Sequence, residues 1–125
     1  MITGSQFVYT YSAVFGLYGV QMLVVPAKMV TDHFETPALP MTTFWIRGSS
    51  VALLANCYLL TQIPTDVAVK VATATTIAVG VLYPWNAKFN LIGDKLPVKY
   101  PMHYVPEILM AVMTALGLYC IANEN

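Results

Sequence analysis

The chain has 125 residues, of which 58% are hydrophobic and only 10% are charged, with six basic and six acidic residues. So sparse and balanced a set of charges excludes a nucleic-acid-binding surface, and no basic tract favours anionic lipid. The high apolar fraction instead indicates an integral membrane protein, because soluble helices carry a polar face that the apolar segments of this chain lack.

Four apolar stretches take up most of the chain, and nearly all of the charges lie between them. A hydrocarbon core of about 30 Å requires roughly 20 helical residues, because each residue rises about 1.5 Å. The sequence therefore predicts spans at residues 6–25, 43–60, 66–83 and 104–122. We expect a single all-α integral membrane domain over residues 1–125, with four transmembrane helices in a compact bundle. The first span is not expected to be a secretory signal, since no basic residue precedes it.

The cations between the spans predict the orientation of the bundle. Lys28 and Arg47 flank the first connection and three lysines lie in the third, whereas Lys70 is the only cation near the second. With four spans, the first and third connections share one side, which the positive-inside rule assigns to the cytoplasm, stroma or matrix. Both termini then lie on the opposite, trans side. The second connection is so short that spans two and three should form an antiparallel hairpin.

Small residues predict where the helices pack, because lipid tails give helices no hydrophobic reason to associate. They lie in span one at Ser12, Gly16 and Gly19, in span two at Gly48, Ser49, Ala52 and Ala55, and in span three at Ala72, Thr75, Thr76 and Gly80. The two halves of the chain also share prolines and lysines at corresponding span ends. An internal repeat and chance both explain that likeness.

One charge lies about a turn inside each of two parallel spans, Arg47 in the second and Glu107 in the fourth. An unpaired charge at that depth is costly, so we predict that Arg47 and Glu107 form an ion pair. The alternative is that both side chains extend to the headgroups. No nucleophile or second acid accompanies them, so the pair would be a structural clamp and the protein not an enzyme.

Three polar side chains are candidate ligands for a pigment or cofactor: His103 at the entry to span four, and Asn56 and Gln21 within spans. The alternative for all three is polar contact between helices or with a partner. Chlorophyll, carotenoid or lipid at the bundle surface would be the ligands, and no metal site is predicted. Cys57 and Cys120 lack metal or redox spacing, so we expect buried free thiols.

The entry to the second span carries a motif, Arg47-Gly48 followed by Ala52-Leu53-Leu54, after a first span that ends in proline. In this motif and in its four short spans, the chain resembles the DoxX-like group of small four-helix membrane proteins. The resemblance covers the architecture and this one motif. It implies a four-helix bundle, but it brings no catalytic residues to this sequence and does not imply quinone reduction.

Three functions follow as hypotheses. The first is a non-catalytic accessory subunit of a large energy-converting complex, favoured as an algal photosystem supercomplex in the thylakoid membrane, with a respiratory or ATP synthase complex of the mitochondrial inner membrane as the alternative. Its partners would be lipids and other integral membrane subunits. The second is a DoxX-like quinone-binding or oxidoreductase-associated protein, which requires a polar pocket around Arg47, Glu107 and His103. The third, a transporter or channel, is disfavoured because no span has the repeated polar positions of a water-lined path.

Overall fold

A computed structural model describes residues 1–123, and its regular structure is helical. The helices are α1 Gly4–Val24, α2 Pro26–His33, α3 Pro40–Leu60, α4 Thr65–Leu82, α5 Pro84–Phe89 and α6 Tyr104–Ala122. Within the described residues, the β structure amounts to one isolated antiparallel bridge between Phe34 and Val98.

Prolines set the helix boundaries at one end of the bundle. Pro26, Pro40 and Pro84 each stand in the first turn of a helix. Proline has no N–H and clashes with the carbonyl four residues before it, so it ends one helix and begins the next. As a result α1 and α4 each stop and are followed by a short helix, a loop and a second long helix. The two halves therefore have the same order of elements.

A capping box starts α1 two residues before the predicted boundary. The Thr3 hydroxyl accepts a hydrogen bond from the Gln6 N–H at 3.1 Å, and the Gln6 side chain accepts one from the Thr3 N–H at 2.9 Å. This reciprocal pairing satisfies two backbone donors that a helix end leaves open. Thr-x-x-Gln is a local signal, so the earlier start of α1 could be read from the sequence.

The long helices pack in two pairs, α1 with α3 and α4 with α6, and α1 also contacts α4 and α6. Among the described residues, α3 and α6 have no contact with each other. Aromatic side chains of α1, including Phe7 and Tyr11, are fully buried beside Met110 and Met113 of α6. Helix α1 therefore lies at the centre of the bundle.

Gly117 lies where α6 approaches α4 closely. A Cβ atom there would lie 2.3 Å from the Thr73 hydroxyl. In contrast, a Cβ atom at Gly48 on α3 would meet nothing within 4 Å. The small residues of span two, Gly48, Ser49, Ala52 and Ala55, are all exposed, so the predicted packing face is not used inside the chain. Helix α3 packs through its opposite side, where Ser50, Cys57 and Leu60 are buried.

Three helical segments are long and apolar enough to cross a membrane: Gly4–Val24, Thr65–Phe89 and Tyr104–Ala122. They fit an integral membrane protein. The second predicted span, within α3, is not in this set although α3 has 21 residues. Arg47, Asn56 and several hydroxyl side chains lower its hydropathy.

Candidate functional site: a polar cluster around Glu107

Glu107 lies in the first turn of α6 and gathers three side chains around its carboxylate. Tyr100 donates its hydroxyl to Oε2 at 2.8 Å, and His103 Nδ1 lies 2.5 Å from the same oxygen. The Lys88 ammonium lies 3.4 Å from Oε1. We call Lys88, Tyr100, His103 and Glu107 the Glu107 cluster. Its carboxylate side chain is only 11% exposed, so these contacts take the place of water.

The position of Glu107 depends on the short helix α5. The Trp85 indole N–H donates to the Glu107 carbonyl at 3.2 Å, and the Trp85 ring covers Gly80 on α4. A Cβ atom at Gly80 would lie 2.8 Å from that ring, so only glycine leaves room for it. Lys88, one turn after Trp85, is thereby directed toward the carboxylate. Helix α5 thus holds the end of α4 against the start of α6.

His103 is buried within the Glu107 cluster, with 1% of its surface exposed. The ring of Phe34 meets it edge-on at 5.3 Å between centroids, and that of His33 lies 6.5 Å away. Because Nδ1 is directed at the Glu107 carboxylate, we assign the proton to this nitrogen. The imidazole then holds α6 and the α2–α3 connection together.

Backbone hydrogen bonds join the two loops that cover His103. The Lys99 N–H donates to the His33 carbonyl at 2.7 Å, and the Glu35 N–H donates to the Pro97 carbonyl at 2.7 Å. The Lys99 ammonium donates to the Thr31 carbonyl at 2.5 Å. These contacts connect the first and second halves of the chain, so the loop end of the bundle is a single cap.

Asn86 organises the loop that leads to the cluster. It is fully buried, and its amide donates to the Asp94 carboxylate at 3.0 Å while its carbonyl accepts from the Ile92 N–H at 2.8 Å. Asn90, in the left-handed conformation at φ 58°, ends α5. Asparagine tolerates that conformation better than most residues, so the loop turns sharply after one short helix.

The Lys88 ammonium also contacts aromatic rings at the surface. It lies 4.8 Å from the centroid of Tyr100 and 5.6 Å from that of Tyr104, and these two rings contact each other at a tilt of 39° with centroids 4.2 Å apart. Desolvation by burial raises the pKa of the Tyr100 phenol above its ordinary value, and the adjacent Glu107 carboxylate acts in the same direction. Tyr100 therefore stays protonated at neutral pH and donates to the carboxylate.

The structure corrects the predicted pair of Arg47 and Glu107. The Arg47 Nε donates at 3.0 Å to the carbonyl of Leu23, in the last turn of α1. Glu107 is instead bonded to Lys88, Tyr100 and His103. Helices α3 and α6, which carry the two charges, make no contact in the described part of the chain, because α1 lies against both of them. Arg47 instead satisfies a carbonyl that the end of α1 leaves without an intrahelical donor.

Of the three predicted pigment or cofactor ligands, two lie apart from the Glu107 cluster. Asn56 accepts a hydrogen bond from the Tyr11 hydroxyl at 2.6 Å, between α3 and α1. Gln21 is half-buried on α1 and makes no side-chain hydrogen bond to any described residue. Only His103 joins the Glu107 cluster, and its burial keeps a flat macrocycle from its ring. The sequence predicts that Lys88 lies in a connection, because the third span is predicted to end at residue 83. In the structure the helical region continues into α5, which brings Lys88 to the cluster.

Within residues 1–123, no three histidine, cysteine or acidic side chains are grouped to hold a metal ion. Cys57 and Cys120 are free and buried, as predicted. A surface depression of about 430 Å³ lies at the loops that cover His103 and not at Glu107. It is lined by Thr31, Phe34, Glu35, Thr36, Pro37 and Lys99.

The Glu107 cluster is thus filled by its own side chains. A carboxylate with three donors, one of which is a buried imidazole, can hold elements together, and it can retain a proton between Tyr100, His103 and Glu107. No family model, curated protein or solved structure matches the chain.

Proposed function

We propose that the protein is a non-catalytic helical subunit that packs laterally against other membrane proteins in a larger complex. The observation that carries this proposal is that polar and apolar side chains lie in different parts of the molecule. The polar groups of the loop end bind other parts of the same chain. Large apolar side chains face outward on every long helix, among them Leu17, Val51, Ile77 and Leu118. Such a surface offers contact area to lipid and protein and leaves the polar groups to fix the fold.

The proposed subunit crosses the membrane four times. Helices α1 and α4 begin at the same end of the bundle, since a Cβ atom at Gly4 would lie 3.1 Å from Val69 and 3.3 Å from Thr65. If both cross, the chain between them must cross once in the opposite direction. Helix α3, with 21 residues, spans about 31 Å and is long enough. In this arrangement α3 crosses the membrane packed against α1, despite its lower hydropathy.

In this proposal the loop end faces the cytoplasm, stroma or matrix. Five of the six basic residues belong to that end: Lys28, Arg47, Lys88, Lys95 and Lys99. The two ends of the described chain approach each other at the opposite face, where the Cys120 thiol lies 3.9 Å from the Ile2 carbonyl. The positive-inside rule then assigns both termini to the trans side.

The host is proposed to be an energy-converting complex, with an algal photosystem supercomplex in the thylakoid favoured and a complex of the mitochondrial inner membrane as the alternative. Support comes from the large apolar side chains that the long helices expose, which suit contact with other membrane subunits. Any chlorophyll, carotenoid or ordered lipid would lie on the outward apolar faces. His103 is too buried to be an axial ligand for a pigment on the surface.

A second candidate is a quinone-binding protein of the DoxX-like kind. One observation favours it: Glu107, His103 and Tyr100 converge at the boundary of a candidate span, where a quinone carbonyl could meet hydrogen-bond donors. Against it, Arg47 is elsewhere and the side chains of the Glu107 cluster fill the space around the carboxylate.

Native purification separates the two candidates. The tagged chain is extracted from its own membranes in mild detergent and run on a native gel, beside an unrelated tagged protein from the same membranes as a control. Co-migration with other membrane subunits, with or without pigment, is the expected result. A colourless monomer without partners would refute the accessory-subunit proposal, and retained quinone would favour the second candidate.

Cysteine labelling tests the crossing by α3. Glu35→Cys and Gln62→Cys place thiols before and after α3, and the native Cys57 and Cys120 are buried. In sealed vesicles, an impermeant maleimide should label one introduced thiol from outside and the other only after permeabilisation. Labelling of both from the same side would contradict the four-span arrangement.

A further inference from the structure

The connection after α5 exposes large apolar side chains. Residues 89–96, which begin with the last residue of α5, contain four of them that the rest of the described chain leaves uncovered: Phe89 at 61%, Leu91 at 51%, Ile92 at 56% and Leu96 at 44% exposure. A loop that lies in water usually carries polar side chains. We call residues 89–96 the apolar loop, and its exposed side chains indicate a contact other than water.

Hydrogen bonds turn the polar groups of the apolar loop inward. The buried Asn86 side chain accepts a hydrogen bond from the Ile92 N–H at 2.8 Å and donates to the Asp94 carboxylate at 3.0 Å. The Leu96 N–H donates to the Ala87 carbonyl at 3.0 Å, so the loop returns to the helix that it leaves. The loop is thus held together by its own polar groups, and its apolar side chains are the part that remains outside.

The apolar loop adjoins two of the helical segments that are long and apolar enough to cross a membrane. The segment Thr65–Phe89 ends at the first residue of the loop. The Lys88 ammonium lies 5.6 Å from the ring centroid of Phe89 and 5.6 Å from that of Tyr104, with which the segment Tyr104–Ala122 begins. Tyr104 is exposed, and tyrosines at the ends of spans lie at the level of the lipid headgroups. The loop therefore begins at that level.

Charge favours a lipid surface as the partner of the loop. Residues 88–99 contain three lysines and one aspartate. The aspartate is Asp94, whose carboxylate is bonded to Asn86. Lys95 has no acidic partner within residues 1–123, and its ammonium lies at the surface, where it donates to the Lys88 carbonyl. Apolar side chains beside an unpaired cation suit the boundary between headgroups and acyl chains in a membrane that contains anionic lipids.

We propose that the apolar loop is a lipid anchor. Its four apolar side chains insert into the headgroup–acyl boundary of the leaflet at the loop end, and the Lys95 ammonium contacts anionic headgroups of the same leaflet. A spanning chain meets lipid at the level where this loop begins, whether or not other subunits are present, and lipid is therefore the partner. The inference rests on the proposed membrane-spanning subunit and adds a lipid contact to it.

The other connection at this end of the bundle, residues 34–39, provides an internal control. The Phe34 ring packs against the buried His103 with 5.3 Å between centroids, and the next residue, Glu35, is exposed. Here the aromatic ring lies inside and the charge outside, which is the reverse of the apolar loop. Residue 35 should therefore lie in water.

Nitroxide spin labels measure the depth of both connections in a membrane without any partner protein. The purified full chain carries the label at Ile92→Cys or at Glu35→Cys, in vesicles of phosphatidylcholine with or without phosphatidylglycerol. Oxygen concentrates in the bilayer and a nickel chelate stays in water. The ratio of oxygen to nickel collisions should be several-fold higher at residue 92 than at residue 35. Phosphatidylglycerol should raise it further at residue 92, and Lys95→Gln should remove this increase.

Leu91→Cys provides a second labelled site in the loop, and circular dichroism checks that each variant keeps its helices. A label at residues 91 and 92 that meets nickel as often as the label at residue 35 would place the loop in water and overturn the anchor. A label that meets neither reagent would show that protein covers the loop, which also overturns it. A chain that does not enter vesicles would instead contradict the membrane-spanning proposal itself, so the two failures are distinct.

Discussion

Replacing Glu107 with glutamine tests whether the Glu107 cluster holds the loop end of the bundle together. The substitution preserves side-chain size but removes the charge from the hydrogen bonds to Tyr100 and His103. The contact with His103 is the most protected from water, since the histidine is 1% exposed. A hydrogen bond to a charged group contributes about 1.5–3 kcal/mol, against about 1 for a neutral one. The Lys88 contact is partly exposed and adds little.

We therefore expect Glu107→Gln to lower the free energy of unfolding by about 1–2 kcal/mol, mainly through the His103 contact. Unfolding of the detergent-solubilised protein by increasing SDS, followed by circular dichroism, measures this change. Tyr100→Phe removes one donor to the carboxylate, so the double variant Tyr100→Phe with Glu107→Gln should lose less than the sum of the single losses.

Arg47→Gln supplies the control. Arg47 contacts α1 and lies on a helix that does not touch α6, so its loss should add to that of Glu107→Gln within about 0.5 kcal/mol. If the losses from Arg47→Gln and Glu107→Gln were clearly non-additive, the ion pair predicted from the sequence would be supported instead. An unfolding free energy that Glu107→Gln leaves unchanged would show that the cluster does not hold the loop end.

Two further predictions concern packing and pH. Gly117→Ala should cost about 1–3 kcal/mol of unfolding free energy, because its methyl group would meet the Thr73 hydroxyl, whereas Gly16→Ala has open space and should be neutral or slightly stabilising in the same SDS assay. Lys28 lowers the pKa of the Asp32 carboxyl through a hydrogen bond at 2.7 Å, so the small stabilisation from this pair is complete above the ordinary carboxyl pKa and is lost as pH falls through the lowered value. A carbon-13 NMR titration should show the Asp32 pKa rising in Lys28→Gln, and an unchanged pKa would contradict the contact.

Local signals account for most of the helix positions. An apolar run predicts a helix whatever surrounds it, and proline ends or begins a helix through its own geometry, as at Pro26 and Pro84. The predicted fourth span has the bounds of α6, Tyr104–Ala122. The continuation of the chain into α5 was not predicted, because a residue before proline is usually read as a helix end, whereas here Pro84 begins another turn of helix.

The outward face of α3 shows the limit of composition as a guide to packing. Gly48 and Ala52 are small whether they face a neighbouring helix or the outside, and in this chain they face outward. Gly117, by contrast, is small because Thr73 leaves no room for a methyl group. Residue size permits close approach, but it does not say from which side the neighbour comes.

The same distinction explains why Glu107 was identified and its partner was not. The depth of a charge within a span can be read by counting residues from the boundary, and Arg47 and Glu107 are at similar depths. Which helices are neighbours is a separate property, decided by how all of the long helices share a core, and α1 lies against both α3 and α6. Each charge is therefore satisfied by a helix end on its own side of the bundle: Arg47 by the last turn of α1, and Glu107 by Lys88 at the end of α5. For a charge near a span boundary in a small bundle, nearby helix ends and short connecting helices are therefore the first partners to consider, before a charge on another long helix.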